Sequence, residues 1–300
     1  MIQGMKVKSN RSYSMEEVYK LLGTSRQAIA QSQRRKSIQN SIETQIVSSV
    51  KKWRKMHPMM GSREMYHSLV NQGKAMMVGI NKFEAIVSKY GLTVGSAKTF
   101  KPMTSDGRGK ESYSNLTNKL NINDINQLIV GDITYFDIKG KWHYIFTLKD
   151  VYSQNILGLI ADRTMRSRNL MEALAAASQT RGSHALKGCI HHSDNGSQYN
   201  STEYKEELMK LEMKISRAEN CQQNGSAEQL NHIIKNMYLN HWSISSLGEL
   251  KQACRELQYL NNHQRTIKQL GHKTPHAFEK YIKTIPSDQR VNKQMYDFNQ

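Results

Sequence analysis

Three carboxylates stand where a fold could gather them for chemistry. Asp132 lies inside an otherwise apolar run, Gln127-Leu-Ile-Val-Gly-Asp-Ile-Thr-Tyr-Phe136. An acid in such a run is costly unless it is paired or bound to a cation. Asp194 closely follows a short apolar stretch, within His191-His-Ser-Asp-Asn-Gly-Ser-Gln-Tyr199. Strand ends of this kind are where open α/β sheets place their sites. Glu228 falls just after Asn224-Gly225-Ser226, on the first turn of a helix. Three carboxylates with open coordination positions suit two divalent ions about 3.5–4 Å apart, the arrangement that drives phosphoryl transfer. Hard oxygen ligands without thiolates favour Mg²⁺ or Mn²⁺ over zinc. Taken singly, Asp132 could simply pair with a lysine and Asp194 could cap a turn. Taken with the charge pattern described next, the metal reading is the stronger.

The elements that must position these acids follow from hydrophobic periodicity. Strands are expected at 127–136, Trp142–Leu148, Asn155–Ala161, Gly188–His192 and Met213–Ser216, with Lys139-Gly140-Lys141 as a hairpin turn. Trp142 and Phe146 read as core residues. Helices are expected at Arg166–Thr180, Ser201–Leu211 and from Ser226 to Trp242. Three strands followed by alternating helices and strands give an α/β fold with a mixed five-stranded sheet. Upstream, residues 14–36 read as helix, tight turn, helix. Ser14 and Ser25 serve as caps, and Gly23 takes the turn. The second of these helices, Arg26 to about Arg35, carries Arg26, Gln27, Arg34 and Arg35, side-chain types that read base edges. A separate helix from Ile42 to Met56 brings Lys51, Lys52, Arg54 and Lys55 near its end, and two short helices follow, Arg63–Asn71 and Asn81–Tyr90. Residues 93–126 lack periodicity and read as a basic linker with a turn at Asp106-Gly107.

The chain of 300 residues carries 43 Lys/Arg against 25 Asp/Glu, a net charge of +18. The excess is uneven. Residues 1–120 hold 21 basic and 7 acidic residues, 121–228 hold 12 and 13, and 229–300 hold 10 and 5. Basic flanks around a near-neutral, acid-bearing centre point to a polyanionic partner and a separate catalytic centre. Apolar stretches are too short to cross a bilayer and Met1–Ser14 has no apolar core, so a secreted or membrane protein is not expected. Three cysteines without a C-x-x-C argue against a disulfide framework. His191 and His192 beside Cys189 match no usual zinc spacing, and are expected to contact DNA or to neighbour the acid site.

At these residues the chain resembles the insertion-sequence transposases, most nearly the OrfB product of the IS-three family within the retroviral integrase superfamily. Gly131-Asp-Ile-Thr-Tyr135, His192-Ser-Asp-Asn-Gly-Ser-Gln-Tyr199 and Asn224 to Glu228 resemble that family's Asp-Asp-Glu motifs. Pro58-x-x-Gly-x-Arg63 to Gly91-Leu92 resembles its helical module. Asp150-Val-Tyr-Ser153 and Ile156-Leu-Gly158 resemble its second and third strands. Asn261-Asn262, Arg265, Leu270-Gly271 and Lys273-Thr-Pro275 resemble its C-terminal signature. Three departures stand out. The Asp194–Glu228 gap holds 33 residues, slightly fewer than is usual, Gln222-Gln223 replaces a frequent Trp-Asp, and Thr266-Ile267 replaces a common Pro-His.

The resemblance implies an RNase H-like DDE core at 127–245. Before it come a helix-turn-helix DNA-binding region at 1–56, a second small helical DNA-binding module at 57–92 and the linker at 93–126. A basic helical tail follows at 246–300. It implies a DNA transposase that cuts transposon ends and transfers the 3′-hydroxyl to a phosphodiester, with Asp132, Asp194 and Glu228 holding two Mg²⁺ or Mn²⁺ ions. Arg63, Gln198, Asn224, Lys235 and Arg265 join the helical cations as expected DNA contacts. The implied partners are double-stranded DNA carrying terminal inverted repeats, target DNA and further copies of the chain that bridge two ends. An upstream helix-turn-helix protein is a further possible partner, and the setting is the bacterial cytoplasm near the nucleoid. The alternatives are an inactive or regulatory DNA-binding relative, and a metal-dependent nuclease of the same fold.

Overall fold

The structure, a computed structural model, describes residues 14–74, 76–95, 113–218 and 221–295. Residues 96–112 of the expected linker, Asp106-Gly107 among them, lie outside the described residues.

The larger, C-terminal part is built on a five-stranded mixed sheet: β1 (Leu128–Ile138), β2 (Lys141–Asp150), β3 (Ile156–Asp162), β4 (Ile190–Ser193) and β5 (Lys214–Arg217). Their order is β3-β2-β1-β4-β5, with β1–β2 and β2–β3 antiparallel and β1–β4 and β4–β5 parallel. This is the mixed α/β architecture expected of an RNase H-like core. The β1–β2 hairpin closes through Lys139 and Gly140, both at positive φ (53° and 78°). Two successive left-handed residues suit the right-handed twist of the strands they join. Residues 151–153, expected to be strand, form the turn between β2 and β3 instead.

Alternation along the strands sends two sets of side chains to opposite faces. Ile129, Phe146, Leu148 and Leu157 pack under α5 (Ser167–Arg181) and α6 (Thr202–Lys210). Ile145, Leu159 and Ala161 pack under α7 (Gly225–His232) and α8 (Leu247–His263). The α7 helix continues into a π-helical turn, Ile233–Tyr238, so the single α-helix expected to Trp242 changes its winding at residue 233. Phe146 is core as expected, but Trp142 is 58% exposed, near the hairpin end of β2.

The C-terminal region is not a loose tail. The stripe Leu250, Cys254, Leu257 and Leu260 makes α8 the second layer on one face of the sheet. The last helix, α9 (Pro275–Ile282), is anchored by Glu279. Its carboxylate accepts from both terminal nitrogens of Arg181 at 2.6 and 2.5 Å and from Ser153 Oγ at 2.6 Å. Residues 113–126 also belong to the core rather than to a free linker. Thr117 and Ile122 are buried, and Asn121–Ile122 pairs antiparallel with Lys293–Gln294.

Upstream lie α1 (Met15–Leu21), α2 (Arg26–Met56), α3 (Ser62–Asn71) and α4 (Ile80–Lys89). The two helices expected at 26–35 and 42–56 are one 31-residue helix. The intervening Lys36-Ser-Ile-Gln-Asn-Ser41 contains neither Gly nor Pro, so nothing breaks it. Only the second half of α2 is packed, with Ile46, Val50 and Trp53 on α3 and α4. No helix among the described residues is long and apolar enough to cross a membrane.

Candidate active site

Strand register places the first two acids. Val130 on β1 lies opposite His192 on the parallel neighbour β4. Two residues further along each chain come Asp132, inside β1, and Asp194, in the loop just past the end of β4. Electrostatics reflect this proximity. Burial, the nearby Asp194 charge and a weaker contribution from Glu228 push the Asp132 carboxyl up to about 7, against hydrogen bonds from the Ile133 backbone and Asn231. Asp194 is raised as well, chiefly by burial, against the opposing pull of the Gly196 N–H and Arg217.

Glu228 sits on the first turn of α7, directly above this face, and is exposed. Among the described residues, no three His, Cys, Asp or Glu side chains converge as a ready-made metal cluster. The sheet therefore brings Asp132 and Asp194 together, while Glu228 stands on a separate element at the rim. The donor chemistry fits a hard divalent cation. The Asp194 charge adds to the cost of charging buried Asp132, a cost that a cation would remove. Neither a thiolate nor a free imidazole competes.

The loop carrying Asp194 is pinned. Gly196 N–H donates to Asp194 Oδ1 at 3.1 Å, and Asn200 Nδ2 donates to Asn195 Oδ1 at 2.8 Å. Buried Arg217, at the end of β5, donates to the Tyr199 carbonyl at 2.7 Å and to Asn200 Oδ1 at 3.3 Å. The expected contacts of His191 and His192 with DNA are not formed by this geometry, because both are buried. His192 bonds Ser216 Oγ at 2.8 Å and the Gln223 carbonyl at 3.1 Å, and His191 bonds Tyr204 at 2.9 Å. Tyr199 is buried too, packed against these rings.

One neighbour of Asp132 is not predicted from the sequence. Asn231, one turn after Glu228, donates from Nδ2 to Asp132 Oδ2 at 2.5 Å, while its Oδ1 is buried without a partner. Its only sequence signal was its place on the helix face that carries Glu228. Lys235, on the π-helical turn, is half-buried and donates to Thr134 Oγ1 at 3.3 Å, two residues along β1 from Asp132.

The expected DNA contacts divide into outward and inward groups. Arg26, Gln27, Arg34, Arg35, Lys51, Lys52 and Lys55 are exposed along α2. Arg63 is exposed but paired with Glu84 at 2.7 Å, and Gln198 is half-buried on the Asp194 loop. Three others turn inward. Arg54 donates to the Pro58, Met60 and Leu92 carbonyls, closing the end of α2 onto the module. Asn224 is buried and donates to the Gly131 carbonyl at 3.3 Å. Arg265 pairs with Glu64 at 2.7 Å, with its side chain 12% exposed. Their carbonyl and carboxylate partners occupy the donors that DNA would need.

Comparison with known proteins agrees with this architecture. Residues 123–221 match the family described as the integrase core domain. The chain is 30% identical over 226 residues to the insertion element IS600 uncharacterized 31 kDa protein of Shigella sonnei, covering 74% of this chain and 82% of that protein. It is 25% identical over 237 residues to the transposase for insertion sequence element IS629 of Shigella sonnei, covering 77% and 78%. Among solved structures, the HTLV-2 integrase catalytic core domain in complex with magnesium aligns with 52% of this chain and 97% of its own, at 19% identity and a TM-score of 0.42. The fold and the matched family define an integrase core of the DDE superfamily. The chain belongs to the insertion-sequence transposases of that superfamily.

Proposed function

We propose that this protein is a DNA transposase that cuts the ends of its element and joins the freed 3′-hydroxyl to another phosphodiester. The observation that carries the reading is that Asp132 lies on β1 and Asp194 just past the end of its parallel neighbour β4, with Glu228 on the first turn of α7. In this reading Asp132, Asp194 and Glu228 hold divalent cations, Mg²⁺ or Mn²⁺, and two ions suit the three carboxylates. When bound, such ions supply Lewis acidity to the attacking and leaving oxygens of phosphoryl transfer.

The chain's own residues do the rest. Asn231 fixes the rotamer of Asp132 and holds its charged form. Arg217 and Gly196 hold Asp194 and its loop. Lys235 presents an ammonium beside Asp132, where a scissile or neighbouring phosphate carries negative charge. The exposed cations of α2 bind the DNA backbone and position the element's ends. Copies of the chain assemble on two ends, and the protein works on cytoplasmic DNA.

The test is an end-cleavage and joining assay. Labelled DNA carrying the element's ends is incubated with protein and Mg²⁺ or Mn²⁺, beside Glu228→Gln and Asp194→Asn. Joined product from wild type alone is expected. Cleavage without joining would make it a nuclease, and metal-independent binding with no product would make it a regulatory relative.

A further inference from the structure

A lysine lies at the centre of the fold, beneath the helix that carries Glu228. Lys149, on β2, is 1% exposed and among the largest fully buried side chains. Its ammonium donates to the Ser226 carbonyl at 2.7 Å and to Gln154 Oε1 at 3.2 Å. Gln154 is itself held by its Nε2 on the Val151 carbonyl at 2.7 Å, in a left-handed backbone conformation at φ 61°. A continuous strap thus runs from the β2–β3 turn through Lys149 to the first turn of α7, two residues before Glu228.

The same strand makes a second tie. Thr147 and Lys149 point to one face, two residues apart, and Thr147 Oγ1 donates to the carbonyl of Asp132 at 3.1 Å. In the sheet register Thr147 lies opposite Asp132, and Lys149 lies opposite Val130. One strand therefore grips the backbone of Asp132 with one side chain and the backbone beside Glu228 with the next. The distance between the two carboxylate-bearing elements is set by β2.

Stability gives no reason for a cation here. Burying an ammonium costs free energy that a methionine or leucine of similar volume would not incur. The surroundings add to the cost, since Lys293 and Arg265 both oppose the Lys149 charge and only Asp150 favours it. A cation near a helix N-terminus is also on the wrong side of the helix dipole.

We infer that Lys149 is a positioning residue for the transposase reaction, holding the first turn of α7 so that Glu228 meets the Asp132–Asp194 pair. The inference rests on the reading of these three acids as one metal-binding set.

The experiment measures Mn²⁺ binding to the full chain by loss of the free-ion EPR signal, together with melting temperature without metal. Wild type, Lys149→Met, Lys149→Gln and Glu228→Gln are compared, with Asp132→Asn as the blank. Lys149→Met is expected to melt at or above the wild-type temperature, to bind DNA as wild type does, and to bind Mn²⁺ about tenfold more weakly, the scale of a lost outer support to a metal ligand. Lys149→Gln, which keeps an N–H donor, is expected to fall between the two. Wild-type Mn²⁺ affinity in a folded Lys149→Met would overturn the inference. So would unfolding of both Lys149 variants, which would make the residue a stability element. Failure of wild type to bind Mn²⁺ better than Asp132→Asn would instead overturn the metal reading beneath it.

Discussion

Asp132 is the most constrained residue in the site, and its protonation sets a testable limit. Its carboxyl is pushed up to about 7 by burial and by Asp194, while the Asn231 amide holds the charged form. Removing that donor raises the carboxyl further, so any reaction that needs ionised Asp132 moves to higher pH. Asn231→Leu is expected to shift the acidic limb of the joining pH–rate profile upward by about one unit, the scale of a lost hydrogen bond to a charge. The melting temperature is expected not to fall, because Asn231 leaves a buried Oδ1 without a partner and leucine suits a helix. An unmoved limb would show that Asn231 does not act through Asp132.

At the scale of elements, the site depends on how closely α5 packs the sheet from behind. A Cβ on Gly158 of β3 would lie 2.7 Å from the Ala173 carbonyl and 3.1 Å from its Cα. Gly158→Ala must therefore push α5 away from β3, and a loss of about 1–3 kcal/mol is expected in urea unfolding. The core strands announced themselves because their apolar runs are short and separated by turn residues. Lys139-Gly140 marked the hairpin because two left-handed residues are needed there. Asp132 and Asp194 were legible because an acid within or just after an apolar strand has few structural reasons to exist. Continuity of α2 was missed because its first half is mostly exposed, so no apolar stripe spans residues 36–41. Trp142 misled because an aromatic in a strand reads as core, whereas its position near the hairpin leaves it exposed. Asn231 and Lys149 were invisible for a common reason. Each acts through one long-range hydrogen bond, to Asp132 or to Ser226, and no local pattern encodes a partner that far along the chain.

Over the whole molecule, the two ends of α2 make opposite demands on charge. The free half of α2 offers Arg26, Arg34, Arg35 and Lys36 with no acid before Glu43, a surface suited to phosphate. Replacing Arg34 and Arg35 by alanine is expected to weaken DNA binding and to flatten the log–log salt dependence by about two (~0.9 per phosphate contact). An unchanged slope would remove this face from the interface. At the other end of α2 the connection is uncharged. His57 is buried, stacked on Trp53, and bonded to the Tyr238 hydroxyl at 2.8 Å and to Gln264 Oε1 at 3.3 Å. The amide oxygen can only accept, so Nε2 carries the proton, and in the neutral ring Nδ1 accepts from the Tyr238 hydroxyl. Burial depresses the imidazole to about 4 from an ordinary 6.5. Its stabilising contribution is thus complete above pH 6.5 and declines as the pH falls toward 4, because only the unfolded chain takes up the proton in that window. The decline amounts to about 1.4 kcal/mol per pH unit for this one group. Asp132, Asp150 and Asp194 are all raised and oppose it, so total stability hides the effect. The difference between wild type and His57→Gln isolates it. Wild type is expected to be the more stable at pH 7, and its advantage to shrink and then reverse between pH 6.5 and 4. A constant difference across that range would mean that His57 stays accessible to protons, and that the joint between α2 and the π-helical turn opens in the folded protein.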